Sequence, residues 1–351
     1  MKTKSLNDIA LQISEEEYRN DGCLHYSKLA KYERGGFEAI PTLDEKLDTP
    51  SLLFGSLVDC LITGTPQELE ERFLIAEFPT LEPLNLTITK AIFDIFKDSY
   101  NRLSLIPDSA IITMTESHGY QLRWKPETRA KVIKEKCEEY YSLLRLAETK
   151  TIVDTKTYEE AVAAAVALRE SEATKWYFEK DNPFEEDIER VYQPKFKATI
   201  DDVNYSCMLD LVVVDHKNKL IYPCDLKTSG HPEYKFFESF INWSYYIQAT
   251  QYSRILEEVI KQDEYFKDFK IMPYRFIVVN RKTLTPLVWE WNQYCNNETV
   301  EIKSAKGKTY ILRNFREIGK ELQNYIDNEA KVPDGIKITE LNSIKEWLEK
   351  N

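Results

Sequence analysis

Asp210, Asp225 and Lys227 carry the strongest chemical signal in the chain. Between the two acids lies His216-Lys217-Asn218-Lys219, a polar four-residue stretch suited to a hairpin loop. If Asp215 faces Leu220 across that loop, antiparallel register carried back along both strands sets Asp210 opposite Asp225. Directly opposed strand residues have Cβ atoms about 4.5–5.5 Å apart, and like charges there are destabilising. At about 5 Å and an effective dielectric of about 20, the repulsion is on the order of 3 kcal/mol, a large fraction of a domain's net stability. A divalent cation would remove that penalty. Lys227, two residues beyond Asp225, shares its strand face by alternation and adds a positive charge. Most Asp-x-Lys triplets are solvated surface pairs worth little. Here, however, Asp210 interrupts the apolar run Met208-Leu209-x-Leu211-Val212-Val213-Val214, where a charge is rare unless paired or bound to a metal.

The elements that must position these residues follow from periodicity. Residues 188–200, 205–215 and 219–229 read as three successive strands rich in Val, Ile, Tyr and Leu. A long helical stretch runs from Pro232 to Ile260, followed by strands over Ile271–Asn280 and Pro286–Trp291. The order β-β-β-α-β predicts an α/β core, a small sheet flanked by helices. The first half is mostly helical: Ser51–Ile62, a helix starting near Pro126, and the Ala-rich Thr157–Glu170. Thr309–Asp327 is also predicted helical. We expect one domain over residues 1–351, with a helical N-terminal half (1–175), a catalytic core (185–295) and C-terminal helices (300–351).

The 351 residues include 47 Lys plus Arg against 59 Asp plus Glu, a net charge of −12, and are 42% hydrophobic. That composition excludes disordered and collagenous classes, and no apolar run approaches the roughly 20 residues of a membrane-spanning helix. The N-terminus places acidic residues where a secretory signal needs its apolar core, so the expected location is the cytosol. Six cysteines without a C-x-x-C pair argue against a zinc ribbon or a dithiol site. Gly307-Lys308-Thr309 lacks the upstream Gly of a phosphate loop, and the four histidines form no metal-binding pair.

The pattern Asp210…Asp225-Leu226-Lys227 across a hairpin resembles the PD-(D/E)XK nuclease superfamily, and within it the RecE-like and RecB-like exonucleases of phages and bacteria. Gln248 and Tyr252, four apart on one helical face, are similar to the family's Q-x-x-x-Y motif. LHYSKLAKYE from Leu24 is similar to its S-x-S-x-L element, and LLFGSLVDCLI to its G-x-x-x-H helix, with Asp59 where the family usually has a metal-binding His. The resemblance covers about Leu24 to Leu256. It implies a restriction-endonuclease-like core with a helical N-terminal elaboration, and a deoxyribonuclease hydrolysing phosphodiester bonds with Mg²⁺ or Mn²⁺. Asp210, Asp225, the Leu226 carbonyl and Asp59 would hold one or two ions, hard cations that prefer oxygen. Lys227 would orient the attacking water, and Gln248 and Tyr252 would contact DNA or brace Lys227. Thr228 and Ser229 would meet a phosphate, and Glu189 is similar to an acidic residue often found beside such sites. With only Cys295 after the core, no iron-sulphur cluster is expected.

The implied activity is an exonuclease resecting duplex ends for recombination, typically phage-borne, working with a single-strand annealing protein and in some relatives oligomeric. The alternatives are a structure-specific endonuclease of the same superfamily and a catalytically silent DNA-binding or assembly protein, which the Asp59 departure keeps open. The acidic net charge disfavours non-specific DNA binding. Two windows run the other way: Gln121–Cys137 and Glu301–Lys320 each hold six basic against two acidic residues, a local +4. Among the aromatics, Trp124, Trp176, Trp243, Tyr245 and Tyr246 are candidates for stacking on a terminal base.

Overall fold

The computed structural model describes residues 3–45, 49–77, 80–147, 149–179, 187–292, 295, 297–303 and 307–327. The chain divides into two compact units, Met1–Gly55 with Val166–Asn351, and Ser56–Ala165. Among the described residues no helix is long and apolar enough to cross a membrane.

The Ser56–Ala165 unit is helical around Ile88, Ile92, Ile111, Ile133 and Tyr141. The helix predicted from Pro126 spans Pro126–Ala147. A short parallel pair, β1 (Phe73–Ala76) and β2 (Thr151–Asp154), closes one side. The Asp154 carboxylate then accepts from the Thr157 N–H at 2.9 Å and caps the Ala-rich helix Thr155–Glu170.

The larger unit contains the predicted α/β core. Its strands are β3 (Ile188–Tyr192), β4 (Lys195–Ile200), β5 (Val203–Met208), β6 (Leu211–Asp215), β7 (Leu220–Ser229), β8 (Lys270–Ile271), β9 (Arg275–Asn280) and β10 (Leu287–Glu290). The main sheet has the order β10-β9-β7-β6-β3, with β8 beside β7; β7 and β9 are parallel and the other neighbours on that path antiparallel. β6 and β7 pair with Asp215 opposite Leu220, the expected register. Asp215 builds that turn, its carboxylate accepting from Asn218 N–H (2.8 Å) and Nδ2 (2.7 Å), while Lys219 takes the left-handed conformation (φ 54°).

Three predicted elements are redrawn. The first two predicted strands are each cut in two: β3 pairs with β6 and β4 with β5 in one continuous register, interrupted at Gln193-Pro194 and Leu209-Asp210. Pro194 has no N–H to give a ladder and Gln193 sits at φ 51°, so the long hairpin kinks there. The helix predicted over Pro232–Ile260 becomes Phe236–Asn242 and Tyr245–Lys261, broken where Ser244 is left-handed (φ 57°). Thr309–Asp327 begins as a strand, not a helix: β11 (Val300–Lys303) pairs with β12 (Thr309–Leu312), and the helix is Phe315–Asp327. Gly307 takes φ 78° shortly before β12, and Thr-Tyr-Ile-Leu favours the extended form.

Val212, Val214, Ile221, Phe276 and Val278 share a core with Ile247, Ile255 and Leu256. Strand alternation from Ile221 therefore places Asp225 and Lys227 on the sheet face under the Tyr245–Lys261 helix.

Candidate active site

The site lies where the β6 ladder stops. The last β6–β7 pair is Leu211 with Cys224, and beyond it β7 continues through Ser229 paired with β9. Asp210 falls at the hairpin kink, one step past the ladder, which explains why a carboxylate interrupts an apolar run. Its backbone carbonyl accepts from Gln193 N–H at 3.1 Å, and its Oδ2 accepts from Leu226 N–H at 2.7 Å. A side chain thus takes the place of the missing strand partner, and the two predicted acids are brought to one end of the hairpin.

Asp225 is 1% exposed. Gln248 Nε2 donates to its Oδ1, so Gln248 braces an aspartate rather than the lysine. The Lys227 ammonium lies 2.5 Å from Oδ2, an ion pair by distance, yet Oδ2 has no hydrogen-bond donor aligned on it. Charge is compensated there while a directed partner is missing. Burial works against the Lys227 charge, but Asp225, then Tyr245 and Asp210, outweigh it and hold the lysine well above its ordinary range. The ammonium also sits 4.7 Å from the centre of the Tyr245 ring.

This donor set fits a divalent cation. A buried carboxylate oxygen without a donor is what hard, oxygen-preferring ions take up. In a strand, one residue's N–H and C=O face the same edge, so the Leu226 carbonyl is directed to the edge where its N–H meets Asp210. Among the described residues no three His, Cys, Asp or Glu side chains group to hold an ion, leaving two aspartates as the converging acids.

The other predicted residues are spread more widely. Tyr252 is buried, its ring 6.3 Å from Tyr274, and burial pushes its phenol well above the usual range. Thr228 lies beside Gly55 inside helix Pro50–Thr63: a Cβ on Gly55 would lie 3.1 Å from Thr228 Oγ1, so Gly55 allows its close approach to the end of β7. Asp59 lies one turn further along that helix, its Oδ1 accepting from Thr63 Oγ1 at 3.3 Å. Ser229 ends β7, its Oγ accepting from His231 N–H at 3.1 Å. Glu189 joins a different group at the far end of β6, opposite Val214. It accepts from Ser5 Oγ and from Leu6 N–H (3.1 Å), with His216 Nε2 at 3.2 Å. Burial raises its pKa, but the contacts to His216, Ser5 and Leu6 prevail and hold it below the usual range.

The basic windows are largely occupied. Arg129 is buried on Glu116 (2.6 Å), Lys134 meets Asp108 (2.6 Å), Arg313 spans Glu33 and Glu321, and Arg316 and Lys320 both meet Asp201. Sequence reading also missed Glu233, which organises the loop after β9. Its carboxylate accepts from the N–H groups of Asn280 and Thr285 (both 3.0 Å) and from the hydroxyls of Thr283 (2.6 Å) and Thr285 (3.2 Å). Its only signal was an acid beside the Asp-Leu-Lys-Thr-Ser strand, since its partners lie about fifty residues on.

No protein-family model and no curated protein matches the chain. A solved structure from Eubacterium rectale, described provisionally as an exonuclease, superposes with a TM-score of 0.38 at 10% identity, covering 91% of this chain and 85% of that one.

Proposed function

We propose that the chain is a divalent-metal-dependent nuclease that hydrolyses DNA phosphodiester bonds, acting as an exonuclease on duplex ends. The observation that carries this reading is Asp225 Oδ2, a buried carboxylate oxygen without an aligned donor, beside Asp210 and a charged lysine. Asp210, Asp225 and the Leu226 carbonyl would hold Mg²⁺ or Mn²⁺. When bound, such an ion supplies Lewis-acid polarisation of a phosphoryl oxygen.

The chain's own groups do the rest. Gln248 fixes the Asp225 carboxylate through Oδ1 and leaves Oδ2 presented. Leu226 N–H fixes Asp210 through Oδ2. Lys227 orients the attacking water and offsets the negative charge that grows on the phosphate, as a compact point charge can. The Tyr245 ring under the ammonium limits its wandering when phosphate competes with Asp225.

The test compares linear and closed-circular duplexes with Mg²⁺ or Mn²⁺, using wild type, Asp225→Ala and Lys227→Ala. Loss of linear DNA alone, abolished in both variants, is the expected result. Cutting of circles would assign an endonuclease, and a wild type that cleaves neither would reject the hydrolytic reading.

A further inference from the structure

Helix Phe236–Asn242 ends at Trp243, and Ser244 turns the chain into the next helix. The Trp243 side chain is 49% exposed. Its backbone is nevertheless fixed from two sides. The Tyr26 hydroxyl donates to the Trp243 carbonyl at 2.7 Å, and Arg34 Nη1 donates to the same oxygen at 2.9 Å. The Arg34 guanidinium then lies 5.4 Å from the centre of the indole. Exposure here belongs to a held ring.

This pair connects to the site through aromatic contacts. Tyr245, two residues after Trp243, carries the Lys227 ammonium over its ring, and Tyr26 lies 6.2 Å from Tyr245 ring to ring. Arg34 also differs from its neighbours. Arg313 takes the Glu33 carboxylate next to it in sequence, whereas no carboxylate among the described residues pairs with Arg34. A fixed cation without a carboxylate partner and a half-exposed indole thus lie side by side.

We infer that Trp243 and Arg34 form a subsite for an unpaired nucleotide flanking the scissile phosphate, Trp243 stacking its base and Arg34 meeting its phosphate. The inference deepens the nuclease reading and rests on it. Every base offers a π-face, so such a subsite tolerates sequence while demanding a single-stranded position. An arginine already aligned on an aromatic ring is well suited to planar phosphate contact.

The experiment titrates the full chain with a short oligothymidylate in Ca²⁺, following tryptophan fluorescence, and measures cleavage of linear duplex in Mg²⁺ in parallel. Wild type is expected to lose fluorescence on binding. Trp243→Phe should lose most of that quench with little loss of affinity, and Trp243→Ala should bind roughly tenfold more weakly. Arg34→Ala should reduce the salt slope of binding by about 0.7, the value for one single-strand phosphate. If wild type cleaves but Trp243→Phe keeps the full quench and Trp243→Ala binds within twofold of wild type, the subsite is rejected and the nuclease reading stands. If wild type binds and the variants behave as expected without any cleavage, the nuclease reading fails and takes the scissile phosphate with it, while base stacking on Trp243 and phosphate contact at Arg34 hold. If wild type does neither, both are rejected.

Discussion

Asp225 and Glu233 are two carboxylates in one unit, each 1% exposed, and they could hardly be served more differently. Glu233 receives donors on both oxygens: Asn280 and Thr285 N–H on Oε1, Thr283 and Thr285 hydroxyls on Oε2. Burial raises its pKa, yet these donors prevail and hold it below the usual carboxylate range. Asp225 has Gln248 on Oδ1 and only an unaligned ammonium beside Oδ2. A buried charge with every lone pair met is scaffolding, because folding has already satisfied it. One left without a directed partner costs stability that something else must offset. The difference separates a residue whose lone pairs the fold has met from one whose second oxygen the fold leaves without a directed donor.

The largest effect that could break this contrast is on catalysis. Asp225→Asn keeps the shape and the Gln248 contact but weakens the hold on a cation, so metal-dependent DNA cleavage should fall roughly 100-fold or more. Its unfolding free energy should fall by less than that of Glu233→Gln, since relief from Asp210 offsets part of the lost attraction to Lys227. Urea denaturation beside a cleavage assay checks both, and a large stability loss with intact cleavage would reverse the assignment.

Glu233→Gln should do the opposite. An amide turns donors towards donors, and the loss should be about 3 kcal/mol in urea unfolding, with kcat for linear DNA within threefold. Because the folded-state pKa lies below the ordinary 4.5, the unfolded chain binds the proton more readily. The carboxylate's stabilisation is therefore complete above about pH 4.5 and disappears as the pH falls through the lower folded value. The gap between wild type and Glu233→Gln should narrow on moving from pH 7 to pH 3.

A third comparison uses the ion alone. At ten times its dissociation constant, a divalent cation that binds only the folded chain stabilises it by about 1.4 kcal/mol. Thermal melts with Mg²⁺ or Mn²⁺ should show wild type and Glu233→Gln rising by a few degrees and Asp225→Asn rising less. Equal shifts in all three would place the ion elsewhere.

Much of the arrangement of Asp210, Asp225 and Lys227 was legible in sequence because one short loop fixes it. Once the four residues His216–Lys219 set Asp215 opposite Leu220, strand parity alone brought Asp210 and Asp225 together and put Lys227 on their face. What parity cannot reveal is where a strand stops. The kink at Gln193-Pro194 needs the positive φ of Gln193 and the partner strand's position, and it turns a strand residue into a hinge carboxylate. The Ser244 break is equally hidden, since Phe236–Lys261 keeps helical apolar spacing across it. Glu189 shows the converse error. It stands at the right strand, but four pairs from the kink, and there it binds the N-terminal segment. A count of charges along the chain also ignores acids from elsewhere, such as Asp201, which meets both Arg316 and Lys320.

The smallest effect probes how closely the working end is packed. Gly55 sits inside a helix, where alanine is ordinarily favoured by roughly 0.5–1 kcal/mol. Its added Cβ would meet Thr228 Oγ1 at 3.1 Å, tighter than an unstrained contact. Gly55→Ala should therefore gain nothing, losing up to about 1 kcal/mol as the helix and the end of β7 are pushed apart. Removing the hydroxyl removes the obstacle. In a Thr228→Ala background the same Gly55→Ala change should become stabilising by about 0.5 kcal/mol, as helix propensity reasserts itself. A double-mutant cycle read by urea unfolding measures that change of sign. Were Gly55→Ala stabilising with Thr228 intact, the helix would have room to spare over the strand that carries Lys227, and the approach that Gly55 permits would be incidental to the site.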